Sequence, residues 1–210
     1  NTYHVSCPGG DGYVEVLNDE FNGSALNSSL WRTLMYGNLH ALNTATEKEY
    51  YKSDNLEVSN GTLKIHAKTE TIYNGLLDES KAPSVLIEGI PNERTFYYTS
   101  GCLHSLQKFP AGKYEIRCKL PNNDCLWPAF WMRWDGWYDR SQEFDLPDYY
   151  RYELNQPFYF RANIGRSDGE NQHCGTSREA NCNPIDLYSD WHTFTVEWDR
   201  FHIVIKLDDQ

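Results

Sequence analysis

Three acids lie close together in the stretch Ser141-Gln-Glu-Phe-Asp-Leu-Pro-Asp-Tyr-Tyr: Glu143, Asp145 and Asp148. They interleave with Phe144, Leu146 and Tyr149, the alternation of a strand with one polar side. Residues two apart on a strand share a face, so Glu143 and Asp145 fall together. A regular strand sends Asp148 to the opposite face. One extra residue in a β-bulge reverses that parity and returns it. Pro147 suits such a place, because proline within strands is tolerated mainly at bulges and edges. Like charges this close resist joint ionisation, so the grouping calls for a reason. Glycoside hydrolysis with retention needs two carboxyls about 5–5.5 Å apart, one as nucleophile and one as proton donor. A third acid between them can keep the nucleophile ionised while the donor stays protonated. A hard cation such as calcium also takes clustered carboxylates, and a solvated edge strand uses charge to deter aggregation. Spacing alone leaves all three open.

Something must hold those acids, and the rest of the chain reads as strands. Strand-like runs recur at 13–17, 56–58, 62–67, 96–104, 112–119, 129–133, 158–164, 191–198 and 202–207, separated by turn residues. In Thr62-Leu-Lys-Ile-His-Ala, Leu63, Ile65 and Ala67 share one face while Lys64 and His66 share the other. Asn60-Gly61 between two such runs signals a tight hairpin turn. Convincing amphipathic helices, repeats and linkers are absent. The pattern predicts an all-β sandwich or barrel forming a single domain over residues 1–210.

The chain carries 19 Lys and Arg against 30 Asp and Glu, a net charge of -11. That balance repels phosphate backbones and anionic lipid, so nucleic acid is a poor partner. No run approaches the roughly 20 apolar residues that insertion in a membrane needs. Neutral polysaccharide remains compatible, and the 7 Trp and 15 Tyr supply rings that suit both strands and sugar faces. The sequence starts at Asn1 with no basic-then-apolar stretch, so any signal peptide is expected to be already gone or never to have existed. Six cysteines are an even count with 15 possible pairings. A hairpin centred on Pro110 would set Cys102 opposite Cys118. Cys174 and Cys182, in one short turn-rich loop, are expected to be bridged, and a zinc site there with His173 is disfavoured because the loop offers at most three ligands. Three sequons, Asn22-Gly-Ser, Asn27-Ser-Ser and Asn60-Gly-Thr, point the same way, toward a secreted or cell-surface protein.

Ordered along the chain, Asp19-Glu-Phe-Asn-Gly with Trp31, Lys48-Glu-Tyr-Tyr, Asn55-Leu-Glu-Val-Ser-Asn-Gly-Thr-Leu-Lys-Ile, Tyr98-Thr-Ser-Gly, Phe109-Pro-Ala-Gly-Lys-Tyr-Glu-Ile-Arg-Cys-Lys-Leu-Pro, Leu126-Trp-Pro-Ala-Phe-Trp-Met and Trp191-His-Thr-Phe-Thr-Val-Glu-Trp-Asp resemble glycoside hydrolase family 16, the laminarinase, lichenase and agarase group. The resemblance implies a two-sheet antiparallel jelly roll like concanavalin A, here lacking its last C-terminal strands. Glu143-Phe-Asp-Leu-Pro-Asp is similar to the family's bulged Glu-x-Asp-x-x-Glu motif, with Asp148 where the family has Glu. By that resemblance Glu143 is the nucleophile, Asp145 its hydrogen-bonding helper and Asp148 the acid/base. Trp127, Trp131, Trp134 and Trp137 match cleft aromatics, and Asn38 a substrate-contacting loop. The family often carries a His after Asn-Ile, where this chain has Asn163-Ile-Gly165. No cofactor is implied for catalysis; a structural calcium is. The expected activity is retaining endo-hydrolysis of an extracellular polysaccharide, foremost a β-1,3-glucan, with a lectin-like, weakened descendant as the alternative.

Overall fold

In a computed structural model, the structure describes residues 2–6, 13–35, 40–41, 47–76, 93–123, 125–133, 143–148, 187–199 and 201–209. Among them the chain runs as β1 (Thr2–Ser6), β2 (Tyr13–Asn18), β3 (Trp31–Arg32), β4 (Glu49–Tyr51), β5 (Leu56–Ser59), β6 (Thr62–Ile65) and β7 (Lys68–Leu76). It continues as β8 (Glu93–Ser100), β9 (His104–Ser105), β10 (Gly112–Cys118), β11 (Ala129–Arg133), β12 (Glu143–Asp148), β13 (His192–Trp198) and β14 (Ile203–Leu207). A 3-10 turn at Ser53–Asn55 is the one helical piece among the described residues. Two compact units emerge, Asn1–Asn18 with Phe109–Gln210, and Asp19–Lys108.

The first unit holds a five-stranded sheet in the order β14-β13-β10-β1-β2 and the separate pair β11-β12. Alternation builds the sheet. Tyr114 pairs with Val196 and Ile116 with Phe194, while Phe194 and Val196 pair with Leu207 and Ile205 on β14. Tyr114, Phe194 and Val196 are almost wholly buried, and each such side chain contributes about 1.5–3 kcal/mol. The intervening positions are polar: Lys113 Nζ lies 3.1 Å from Glu115 Oε1, and the Tyr13 hydroxyl donates to Glu197.

The second unit holds β4-β8-β7, with β4 parallel to β8, and the pairs β5-β6 and β3-β9. Phe96 and Ala41 form its small core with Tyr50 and Ile72. A polar chain crosses the same unit. Lys52 Nζ donates to Glu70 Oε1 at 2.6 Å, Thr99 Oγ1 to Glu70 Oε2 at 2.9 Å, and Asn55 Nδ2 to Thr99 Oγ1 at 3.0 Å and to the His66 carbonyl at 2.7 Å. Asn55 and Thr99 are fully buried, so every bond replaces one with water. Gly101, just past β8, sits close against Leu56 and Ile65: a Cβ there would meet Leu56 Cδ2 at 2.5 Å, so the leucine would have to move.

Asn60 and Gly61 both adopt left-handed backbone, φ 55° and 69°, the tight turn expected between β5 and β6. Lys64 and His66 do share a polar side, both reaching Glu57, at 2.8 and 3.1 Å. β6 nonetheless stops at Ile65, because the His66 N–H turns to the Asn55 carbonyl at 2.8 Å. Residues 19–23 follow β2 rather than forming a strand; Asp19 accepts from the Trp31 indole at 2.7 Å and the Phe21 amide at 2.9 Å. The run at 158–164 lies outside the described residues.

The hairpin centred on Pro110 does not form. β9 pairs with β3, whereas β10 pairs with β1 and β13, setting Cys118 opposite His192. Cys102 Sγ instead donates to Met35 Sδ at 3.1 Å. Cys102, Cys118 and Cys125 are free thiols; burial pushes the first two up to about 12. The expected Cys174–Cys182 bridge, His173 and Cys7 lie outside the described residues.

Two outcomes follow. Asn55→Ala leaves the His66 carbonyl and Thr99 short of a donor and should lower unfolding stability by about 1–3 kcal/mol in urea titrations. The Lys64 ammonium, then the Ser59 hydroxyl and His66, hold Glu57 at about 2 against an ordinary 4.5. Its folded pKa is depressed, so its contribution is whole above 4.5 and lost as pH falls toward 2. Acid titration of Glu57→Gln should therefore show a shallower stability loss across that window than wild type.

Candidate active site

β11 is drawn from Ala-Phe-Trp-Met-Arg, residues that suit a pleated surface. Pro128 precedes it, where a missing N–H costs no ladder bond. A turn leads in: the Cys125 N–H donates to Asn123 Oδ1 at 2.8 Å and the Leu126 N–H to the Asn123 carbonyl at 3.4 Å. Trp127, on this approach, is 44% exposed, more than core packing would leave it; Trp131, within β11, is half-buried.

The ladder between β11 and β12 positions the acids. Arg133 stands opposite Glu143, Met132 opposite Phe144 and Trp131 opposite Asp145. The register then slips, and Ala129 stands opposite Asp148. Between the last two pairs β11 advances two residues while β12 advances three, so the extra residue falls within Leu146-Pro147. This is the bulge that Pro147 suggested. Opposed residues of an antiparallel pair occupy the same side of the ladder, and residues 129, 131 and 133 alternate onto one side. The register therefore places Glu143, Asp145 and Asp148 on one side of the pair.

Comparison with known proteins bears on what such a pair does. The model of glycosyl hydrolases family 16 matches residues 40–210. The chain belongs to that family. A glucan endo-1,3-beta-glucosidase of Cryptopygus antarcticus is 32% identical over 128 residues, 59% of this chain and 45% of that relative; the chain thus spans under half its length. The catalytic domain of an endo-1,3-beta-glucanase (laminarinase) from Thermotoga petrophila superposes with a TM-score of 0.62 at 26% identity, covering 91% of this chain and 72% of the other. A structure from work on endo-acting O-glycanases of the human gut microbiota gives 0.74 at 25% identity, covering 98% and 71%. These likenesses, with the predominance of strands among the described residues, make the fold the all-β jelly-roll sandwich of family 16.

Other positions that family 16 membership singles out are distributed unevenly. Trp134, Trp137 and Asn38 lie outside the described residues, as does Gly165. Glu49 and Tyr51, from the matched Lys48-Glu-Tyr-Tyr block, form a cluster within the second unit: the Tyr51 hydroxyl donates to Glu49 Oε1 at 2.8 Å. Burial, then Glu49 and Glu47, raise that phenol above its ordinary range. Arg133, opposite Glu143 in the ladder, was not singled out from the sequence, because the pairing register is not written in the residues themselves. Among the described residues no three His, Cys, Asp or Glu side chains gather to hold an ion.

Three like charges on one side of a two-stranded pair should cost stability. Asp145→Asn and Asp148→Asn are expected to raise it by about 0.2–1 kcal/mol. Glu143→Gln, opposite the cation of Arg133, should gain least. Thermal melts at pH 7 check the order.

Proposed function

We propose that this chain is the catalytic region of an extracellular, retaining endo-β-glycosidase whose foremost substrate is a β-1,3-glucan. The register slip in β12 carries the proposal, because it brings Asp148 to the side of Glu143 and Asp145. In the first step Glu143 attacks the anomeric carbon while Asp148 protonates the leaving oxygen. Water, deprotonated by Asp148, then releases the glycosyl group from Glu143. Asp145 lies between them in register, with Arg133 opposite Glu143, and the role assigned to Asp145 is to hydrogen-bond the nucleophile. Exposed Trp127, with Trp131, offers ring faces to the sugar. No cofactor takes part. The names of the Cryptopygus relative and the Thermotoga laminarinase support β-1,3-glucan; the likeness to O-glycanases puts mucin-type glycans next.

One observation favours a second outcome, a lectin-like descendant that binds glycan without cleaving it. Asp148 is one methylene shorter than the family's Glu, and a misplacement of about 1 Å can cost ~10²-fold in rate.

Reducing-end release from laminarin, mixed-linkage glucan, carrageenan and mucin, with Glu143→Ala as control, tests the proposal. Activity on laminarin, abolished in the control, is expected. Asp148→Glu should raise polysaccharide turnover by about one to two orders of magnitude and change aryl-glycoside turnover much less, since good leaving groups need little protonation. Glycan binding by wild type and Asp148→Glu without release from any substrate would establish the lectin-like alternative.

A further inference from the structure

The three sequons lie in the second unit; those at Asn22 and Asn27 lie outside any strand, and that at Asn60 begins in a turn and ends on the first residue of β6. Two have a structural reason to exist. Asn60 occupies a left-handed turn position that few other residues tolerate, and its partner hydroxyl is turned away, Thr62 Oγ1 donating to the Ser59 carbonyl at 2.8 Å. Asn22 packs toward that same turn, its Oδ1 3.4 Å from where a Cβ on Gly61 would sit.

Asn27 differs. Its Oδ1 accepts both the Ser29 N–H at 3.0 Å and the Ser29 hydroxyl at 2.7 Å, a local Asx-turn that uses no residue outside the sequon. Its carbonyl accepts from the Leu30 and Trp31 amides at 3.0 and 3.1 Å, so the turn is held at both ends. Asn27, Ser28 and Ser29 are all exposed. Both recorded side-chain bonds use the oxygen. The nitrogen, Nδ2, is where a glycan would attach, and substitution there removes one N–H while leaving Oδ1 and both Ser29 bonds intact.

We propose that Asn27 is an acceptor for an N-linked glycan, held ready by its own Asx-turn. In the transfer, Nδ2 attacks the anomeric carbon of a lipid-diphosphate-linked oligosaccharide. The N–C bond forms, the bond from that carbon to the phosphate oxygen breaks, and the lipid diphosphate departs with the electron pair. One amide proton passes to a base of the transferase; nothing is oxidised or reduced. A hydroxyl two residues on is demanded by the motif, and Asn27 is the acceptor whose hydroxyl already lies against its own amide.

The proposal rests on the extracellular location argued above, and the test separates the two. The chain is produced behind a secretion signal in insect cells, and glycopeptides are mapped before and after enzymatic glycan release. Because the secretory route is imposed, a bare Asn27 counts against the site and not against the location, which immunolocalisation in the source cells reads instead. Occupied Asn27 is expected, with loss of that glycopeptide in Asn27→Gln and Ser29→Ala and its retention in Ser29→Thr. Asn27 bare while Asn22 or Asn60 is occupied, or all three bare, overturns the proposal. Secretion yields of the variants, compared with wild type, separate a missing glycan from a chain that failed to fold.

Discussion

A single residue of slip between β11 and β12 is the constraint on which the candidate site depends. Without it, a strand that reads Glu-x-Asp-x-x-Asp would divide its acids between two sides, and Asp148 would be lost to the group. With it, the acids oppose residues 133, 131 and 129 in turn. The arrangement is electrostatically expensive, and Arg133 is the one oppositely charged residue set across from any of the three. The candidate site thus sits where the ladder is locally imperfect, as is common for bulges beside reactive groups.

Elsewhere the molecule relies on ordinary alternation, supplemented by buried polar bonds. The first unit draws its sheet from apolar rows on β10, β13 and β14. The second has a smaller apolar core, and the hydrogen bonds linking Lys52, Glu70, Thr99, Asn55 and His66 tie the turn before β5 to β7 and β8. Such a chain of bonds is specific because its donors find these acceptors only in one arrangement, although Asn55 Oδ1 is buried without a partner.

Much of this was legible in the residues. The runs at 112–119, 129–133 and 191–198 became β10, β11 and β13 with little change; their β-branched and aromatic residues favour strands, and on β10 burial also alternates from Gly112 to Glu115. The Asn60-Gly61 turn and the bulge at Pro147 were readable for a local reason: turn and proline chemistry act within a few residues. Pairing partners were not. Cys102 and Cys118 looked like neighbours across a hairpin, yet β10 takes its partners from residues near each end of the chain. β7 escaped notice because Lys-Thr-Glu-Thr-Ile-Tyr-Asn-Gly-Leu alternates poorly, and its ladder with β8 absorbs the mismatch through two register shifts. The candidate acids were found by type and spacing, whereas Arg133 needed the register, a non-local property.

The discontinuity of the first unit also carries a temporal consequence. Its first strand, β1, has partners near residue 15 and near residue 114, and β10 in turn needs β13 close to residue 195. The second unit is one uninterrupted stretch, Asp19–Lys108. During synthesis at about 5–20 residues per second, the ribosome completes that stretch while the opening strand still has only its hairpin neighbour. β1 must then wait on the order of ten seconds for the rest of its sheet. Vectorial emergence thus favours the internal unit closing first, with β1, which precedes it in the chain, locked in place later.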